Sequence, residues 1–291
     1  MFDSPNQFLE QALFIATGQE LQLLDMQMKG GGCINQTIYL KTSGGEFFIK
    51  WNDTAEAEMF EAEAKGLALL REAKALPVPE VIGLGVVEGR YFLLLEYLDS
   101  RPHRKDYWQR LGQGLAQLHS CSADTYGLSH NNYIGRLPQN NEPLTDWLEF
   151  FIKRRLEPQL GLAYYNQQVD KAFLEQFRRL YPRLQELLQT EPPALLHGDL
   201  WSGNVMAGPE GAAWIIDPAV YYGHREAELA FTKLFGGFDA AFYSAYQEAK
   251  PMEKGYQERF DIYNLYPLLV HVNLFGAGYL SGVQQTLRRY R

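Results

Sequence analysis

The residues best suited to chemistry fall in one short segment, His197-Gly198-Asp199-Leu200-Trp201-Ser202-Gly203-Asn204, followed by Ile215-Ile216-Asp217-Pro218. Asp199 and Asn204 are five apart, and Asp217 lies 18 after Asp199 at the end of the next apolar run. This order suits phosphoryl transfer to a hydroxyl. One Asp takes the hydroxyl proton, and an Asn and a later Asp offer hard oxygens to Mg²⁺ on a polyphosphate. The loop must turn between Asp199 and Asn204, and Gly203 is read as the residue that permits it.

Three further elements would serve such a reaction. Gly30-Gly31-Gly32-Cys33 is a glycine-rich stretch whose N–H groups can approach phosphates. No Gly-Lys-Ser/Thr follows, so it is not a Walker A loop. Lys50 ends the run Phe47-Phe48-Ile49-Lys50, where alternation puts it on one face with Phe48. A lysine on an apolar face needs an anion. In the next helix Phe60, Glu63, Leu67 and Leu70 share a face, while Glu58, Glu61, Lys65 and Glu72 point elsewhere. Glu63 is thus the expected partner of Lys50, turning the amine toward the α/β-phosphates. Finally, Leu93–Leu98 is an apolar run ending where the texture of the chain changes, and the backbone at Glu96, Tyr97 and Leu98 can meet an adenine edge.

The elements that must position these groups are read as follows. A helix over about 6–18 precedes the glycines. Strands at 34–40 and 46–50 flank a Ser43-Gly44-Gly45 turn, and Asn52-Asp53-Thr54 with Glu56 caps a helix running to about Ala73. Strands at 81–87 and 90–97 follow, giving the order β-β-α-β-β. Beyond about 100, helical patterns dominate. Trp108, Leu111, Leu115 and Leu118 line one face, as do Phe173, Phe177, Leu180, Leu184 and Leu187, with Pro182 expected to kink that helix. Thr145 is read as the N-cap of a helix carrying Trp147, Phe150 and Phe151. Short apolar runs at 194–196, 204–206 and 213–216 bracket the chemical segment. The fold class is α+β and bilobal: 1–98 as a nucleotide-binding lobe of antiparallel sheet with one helix, and 99–291 as a helical catalytic and substrate lobe.

Composition narrows the partners. With 27 Lys and Arg against 35 Asp and Glu, the 291-residue chain carries a formal net charge of −8, which disfavours nucleic acid. Two cysteines, Cys33 and Cys121, make neither a disulfide framework nor a zinc site, and Cys121 is read as inert core. No signal peptide is read at the N-terminus. The apolar stretch 265–280 is interrupted by Pro267, His271 and Asn273 and is too short for a membrane span. A cytoplasmic protein is expected.

Taken in chain order, these parts resemble the protein-kinase-like small-molecule kinases, and more closely the fructosamine kinase family of fructosamine-3-kinases and ribulosamine 3-kinases. The resemblance rests on Gly30–Ile34, Phe60-Glu61-x-Glu63, Glu96-Tyr97, Tyr126-Gly127, Pro138-Gln139-x-Asn141, Asp146-Trp147-x-x-Phe150-Phe151, Arg155-Leu156, His197–Asn204, Tyr222–Glu226, Leu234–Phe238, and Leu265-Tyr266 with His271. It departs at Glu228, where some members carry Asp. The family implies ATP- and Mg²⁺-dependent phosphorylation of the O3 hydroxyl of a ketosamine, a sugar–amine adduct. The resulting ester sheds the sugar and repairs the amine. The resemblance makes Asp199 the base, Asn204 and Asp217 the Mg²⁺ ligands, Lys50 the phosphate contact with Glu63 its anchor, and Gly30, Gly31 and Gly32 the phosphate loop.

Trp201 would stack on the acceptor. His224 and Arg225 would contact substrate or, the reading favoured here, hold the catalytic loop. Cys33 is a thiol whose modification would lower turnover, and the protein would be a monomer or a homodimer linkable there. The alternatives are an aminoglycoside, choline or homoserine kinase of the same fold, or a non-catalytic kinase-like binding protein.

Overall fold

Alternating and helical apolar patterns become two units in the computed structural model, which describes residues 5–28, 36–52 and 57–290. The first unit holds α1 (Pro5–Thr17), β1 (Leu23–Met28), β2 (Gln36–Thr42), β3 (Gly45–Asn52), α2 (Ala57–Ala73), β4 (Val81–Val87) and β5 (Arg90–Glu96). Among the described residues the strands form one antiparallel sheet in the order β1-β2-β3-β5-β4. Phe8, Leu9, Ala12 and Leu13 of α1 pack with Ile38, Leu40, Ile49, Trp51, Val87, Phe92 and Leu94. Ile49 and Trp51 face that core, so strand alternation sends Lys50 to the other side of β3.

The sequence reading assigns no strand to 23–28, yet β1 pairs with β2 from Leu23↔Thr42 to Met28↔Ile38. Its Leu24, Met26 and Met28 are exposed. Pairing with β2 makes it a strand, whereas burial of its own side chains does not, so no buried-face pattern announces it. The glycines Gly30, Gly31 and Gly32, Cys33, and the Asp53-Thr54 cap with Glu56 lie outside the described residues.

The second unit carries α3 (Tyr107–Leu118), β6 (Asn132–Ile134), β7 (Leu137–Gln139), α4 (Trp147–Phe150), a π-helical turn (Phe151–Leu156), α5 (Glu157–Tyr165), α6 (Lys171–Leu187) and β8 (Ala194–Leu196). Next in the chain comes the hairpin β9 (Val205–Ala207) and β10 (Ala213–Ile215), which belongs with the first unit from Met206 on; the second unit resumes with β11 (Tyr221–Gly223), α7 (Arg225–Leu234), α8 (Ala240–Ala249), α9 (Tyr256–Tyr263), α10 (Leu265–Phe275) and α11 (Leu280–Arg289). Leu111, Leu115 and Leu118 are buried along α3, and Phe173, Phe177, Leu180 and Leu184 along α6, which contains Pro182. The cap of α4 is Asp146 rather than Thr145: its Oδ1 accepts the Glu149 N–H at 2.7 Å. A carboxylate also answers the positive end of the helix, which a hydroxyl does less well. Cys121 is a partly exposed free thiol rather than core.

The division falls at Tyr107, and residues Met206–Ile216 join the first unit; the sequence reading puts a single boundary after 98. Main-chain bonds explain the difference. Arg101 N–H donates to Ala207 O at 2.9 Å, Arg104 N–H to Gly211 O at 3.1 Å, and Ile215 N–H to Pro77 O at 3.1 Å. The chain therefore leaves the second unit after Val205 and returns to it at Asp217.

Candidate active site

In the first unit, alternation on β3 and the helical period of α2 bring two side chains together. Lys50 Nζ lies 2.7 Å from Glu63 Oε1, with both side chains largely buried. The acids expected to point away do so: Glu58, Glu61 and Glu72 are exposed. At the end of β5, Glu96 N–H donates to Glu80 O at 2.8 Å, the Tyr97 ring lies 4.3 Å from that of Tyr39, and Leu98 is buried.

In the second unit, β8 pairs antiparallel with β11, Leu196 opposite Tyr221, and the catalytic-type loop leaves from the end of β8. Gly198 has φ +84°, and a Cβ there would stand 2.0 Å from Ala219 O. Both conditions demand glycine. Ala219 N–H donates back to His197 O at 2.9 Å, tying the loop to the segment that follows Asp217.

Residues 202–204 then make one 3₁₀ turn, with Asn204 N–H on Trp201 O at 3.0 Å. Gly203 is needed here for a different reason from the one read in the sequence. It does not adopt a left-handed conformation; a Cβ would stand 2.3 Å from the Trp201 indole, so the glycine makes room for that ring.

Asn204 Nδ2 donates to Asp199 O at 2.8 Å and to Asp199 Oδ2 at 3.0 Å. The amide nitrogen is thus turned toward Asp199, and its oxygen faces the other way. Asp217 sits in the left-handed region at φ 54° with its residue exposed. Removal from water, and then the Asp217 carboxylate, push Asp199 up to about 8; the Asn204 amide works in the opposite direction.

A neutral amide oxygen and an anionic carboxylate are the donors a hard divalent cation prefers. Among the described residues no three His, Cys, Asp or Glu side chains gather into a cage. Mg²⁺ on a nucleotide needs none, because phosphates and water complete its shell.

The loop is held from behind by groups to which the sequence reading gave no role. Glu228 on α7 accepts the Gly198 N–H at 2.7 Å and the His197 N–H at 3.2 Å, and its Oε2 lies 2.9 Å from His119 Nε2. His119 Nδ1 lies 2.8 Å from the Tyr246 hydroxyl. Burial alone would push the Glu228 carboxyl up, but His119, His197 and the Gly198 N–H outweigh it and hold the group below the usual carboxylate range. A second network fixes the chain after Asp217. Asn132 Nδ2 donates to Val220 O at 2.8 Å, and Gln139 Nε2 to Asn132 Oδ1 at 2.8 Å and Ala219 O at 3.2 Å. Asn141 Nδ2 joins Asn132 Oδ1 at 2.7 Å, and Asn141 Oδ1 accepts from the buried Arg155 at 2.7 Å. The Arg155 guanidinium lies 4.0 Å from the Tyr221 ring centroid and 4.6 Å from that of Phe150.

His224 and Arg225, named as candidate substrate contacts, are buried. His224 caps α7, its Nδ1 accepting the Glu226 N–H at 3.2 Å. Arg225 grips Glu191 at 2.6 and 2.7 Å and also donates to Lys250 O at 3.0 Å and Pro251 O at 2.9 Å. Nearby, Arg259 Nε donates to Glu226 at 2.7 Å. The favoured reading has this segment hold the catalytic loop; the ion pair observed is with Glu191, which lies before β8. Trp201, by contrast, is 36% exposed.

These features define an α+β phosphotransferase fold of the protein-kinase-like class. The crystal structure of spectinomycin phosphotransferase with ADP and spectinomycin shares that fold at a TM-score of 0.58 and 15% identity, over 98% of this chain and 93% of its own. A fructosamine kinase family model matches residues 5–291, and the chain belongs to the fructosamine kinase family. It is 40% identical to a probable ketoamine kinase of Synechocystis over 98% of this chain and 97% of that one. It is 37% identical to the chloroplastic protein-ribulosamine 3-kinase of Oryza sativa subsp. indica, over 95% and 81%. A crystal structure from Haemophilus somnus, provisionally assigned as a fructosamine-3-kinase, matches at a TM-score of 0.88 and 29% identity over 98% and 97%.

Proposed function

We propose that the protein is an ATP-dependent ketosamine 3-kinase. The observation that carries this reading is the Asp199–Asn204 contact in a loop clamped by Glu228, in a chain matched end to end by its family. Asp199 orients the acceptor hydroxyl and receives its proton as the oxygen attacks the γ-phosphorus. The bond to the bridging oxygen breaks and ADP leaves. Positioning and charge do this work, so no covalent enzyme intermediate is needed. Lys50, anchored by Glu63, contacts the α/β-phosphates. The stretch Gly30–Gly32 and the main chain at Glu96–Leu98 are assigned to the phosphates and the adenine edge.

Asn204 Oδ1 and the Asp217 carboxylate would hold Mg²⁺. When bound, the cation neutralises phosphate charge and favours the ionised form of Asp199. Cys33 is assigned as the point where thiol modification lowers turnover and where two copies can link; full turnover after complete labelling of Cys33 removes that part of the proposal. Among the described residues no helix is long and apolar enough to cross a membrane. The reading takes the enzyme to be cytoplasmic, where ATP is supplied.

The test is ADP release with ribulose-lysine, erythrulose-lysine and fructose-lysine, against choline and kanamycin. Release is expected with ketosamines alone. Asp199→Asn is expected to lower kcat by about 100-fold or more. Turnover of that variant within a few-fold of the parent overturns the role of Asp199, and release driven by choline or kanamycin overturns the acceptor class.

A further inference from the structure

Three buried side chains stand in line behind the catalytic loop: Tyr246 on α8, His119 just past α3, and Glu228 on α7. A glycine draws the first two together. Gly112 lies two helical turns before His119 and shares its face of α3. A Cβ at Gly112 would stand 2.3 Å from Phe242 O on α8, so glycine lets the helices close in. Tyr246, one turn after Phe242, then reaches His119, with 2.8 Å between its hydroxyl and Nδ1. On the other side of the ring, His119 Nε2 lies 2.9 Å from Glu228 Oε2.

Where the hydrogens sit follows from what each group can do. Burial pushes the Tyr246 hydroxyl up, so it keeps its hydrogen at neutral pH. Two polar groups meet that hydroxyl, the Arg225 guanidinium and the His119 ring. A guanidinium only donates, so the hydrogen goes to His119 Nδ1. Nδ1 is then the bare nitrogen, and Nε2 carries the hydrogen of the ring. Glu228 is an acceptor, because its donors hold it below the usual carboxylate range despite its burial. Every hydrogen in the row therefore points the same way, from Arg225 through Tyr246 and His119 to Glu228. Bonds aligned in this manner polarise one another in a buried setting.

We propose that Tyr246 and His119 are positioning residues for phosphoryl transfer: the Tyr246 hydroxyl fixes the tautomer and rotation of His119, and His119 Nε2–H fixes the Glu228 carboxylate that holds the Gly198–Asp199 main chain. The rate effects rest on the kinase reading above. Neither residue acts on the reacting atoms directly. Each oxygen of Glu228 already meets a loop N–H, from Gly198 and from His197. The imidazole is the donor that comes from outside the loop. It stops the carboxylate from turning, and a turn would carry both N–H groups and Asp199 with it. A misplacement of about 1 Å at a reacting group costs roughly 100-fold in rate, and a loosened clamp costs part of that.

The experiment has two arms. Nitrogen-15 NMR of the nucleotide-free protein, with labelled histidine, locates the hydrogen on the His119 ring; His119→Gln assigns the signal by removing it. The hydrogen is expected on Nε2, with Nδ1 bare. A hydrogen on Nδ1 overturns the proposal independently of any kinase activity.

The second arm is steady-state kinetics with ATP and ribulose-lysine. Tyr246→Phe removes one oxygen and is expected to lower kcat about tenfold, with both KM values within about twofold. His119→Leu and His119→Gln fill similar space, but glutamine alone presents an N–H where Nε2 stands. His119→Gln is expected to keep kcat within about threefold and His119→Leu to lower it about 30-fold. Packing alone would treat the two alike. Equal rates in them, or a Tyr246→Phe that alters KM and leaves kcat unchanged, overturns the positioning role and leaves the kinase reading intact. A wild type that phosphorylates no ketosamine sinks the kinase reading itself, and the positioning role with it.

Discussion

Two charged centres of this protein are built in opposite ways. Lys50 meets the Glu63 carboxylate at 2.7 Å, and both sit on regular elements, β3 and α2. Asp199 sits in a tight loop with no regular ladder of its own. Its neighbours borrow their partners from far along the chain: Glu228 for the His197 and Gly198 N–H groups, and His119 behind Glu228. A strand and a helix satisfy their own backbone, so the side chains there have no main-chain groups of their own segment to meet. A loop leaves main-chain N–H groups that must be met by something buried. Precision at a loop site therefore costs a network, and stability and catalysis become linked in that region more tightly than at the lysine.

The largest test of that contrast is Glu228→Ala. It strips an acceptor from two main-chain N–H groups and leaves His119 facing a void. A loss of about 3–5 kcal/mol in unfolding free energy is expected, since two main-chain N–H groups and a buried ring nitrogen lose their partner at once. A fall in kcat of about 100-fold is also expected, because Asp199 rides on the same loop. Urea unfolding and steady-state rates read the two effects. A variant stable to within 1 kcal/mol of the parent (roughly the worth of one ordinary hydrogen bond), or with kcat retained within a few-fold, would show that the loop holds itself.

Acid sharpens the same contrast through His224. Burial holds its pKa down to about 4, well below its ordinary value. In the unfolded chain it titrates near ~6.5. Between those values the unfolded state binds a proton that the folded state does not, so stability falls as pH is lowered through the window. The shift amounts to about 3 kcal/mol, with about 1.4 kcal/mol per unit. Other buried acids titrate in the same range, so the measurement is a difference. The stability gap between the parent and His224→Asn, a substitution that preserves a capping side chain, is expected to close by about that amount from pH 7 to pH 4. A gap independent of pH would mean that His224 takes up its proton without strain.

How much of this was legible follows from the same division. Asp199, Asn204 and Asp217 could be read because their spacing is local and one loop turn brings the first two together. Lys50 and Glu63 could be read because a period of two on β3 meets a period of 3.6 on α2. Glu228 was visible only as a departure from a pattern. Nothing near it in sequence says that its partners lie 30 and 31 residues earlier, at Gly198 and His197. His119 closes an ordinary helix, and Asn132 belongs to a short hairpin without a strong apolar signal. Gln139, Asn141 and Arg155 stood out only by family resemblance; their shared work on the chain after Asp217 depends on contacts that periodicity does not encode. Gly203 was chosen for the right place and the wrong cause, because a ring that needs room leaves the same residue as a turn. His224 and Arg225 follow Asp217 closely in sequence, yet the cap of α7 and the grip on Glu191 turn both side chains inward.

The smallest effect is expected at the simpler centre. Lys50→Met replaces the amine with an unbranched chain, and the partly exposed Glu63 recovers some water. A stability change of about 1–2 kcal/mol is expected, at the lower end for an ion pair that is not sealed from solvent. Glu63→Gln keeps an oxygen to accept from Lys50, so it should cost less. A double-mutant cycle over the two isolates their coupling, expected near ~1 kcal/mol. The informative quantity is the split between binding and folding. KM for ATP should rise about tenfold or more in Lys50→Met while the melting temperature moves by only a few degrees, because the role proposed for the lysine is directed at the nucleotide. Were Lys50→Met to destabilise the protein as severely as Glu228→Ala, the lysine would belong to a network too, and the difference between a centre built on regular elements and one built on a loop would disappear.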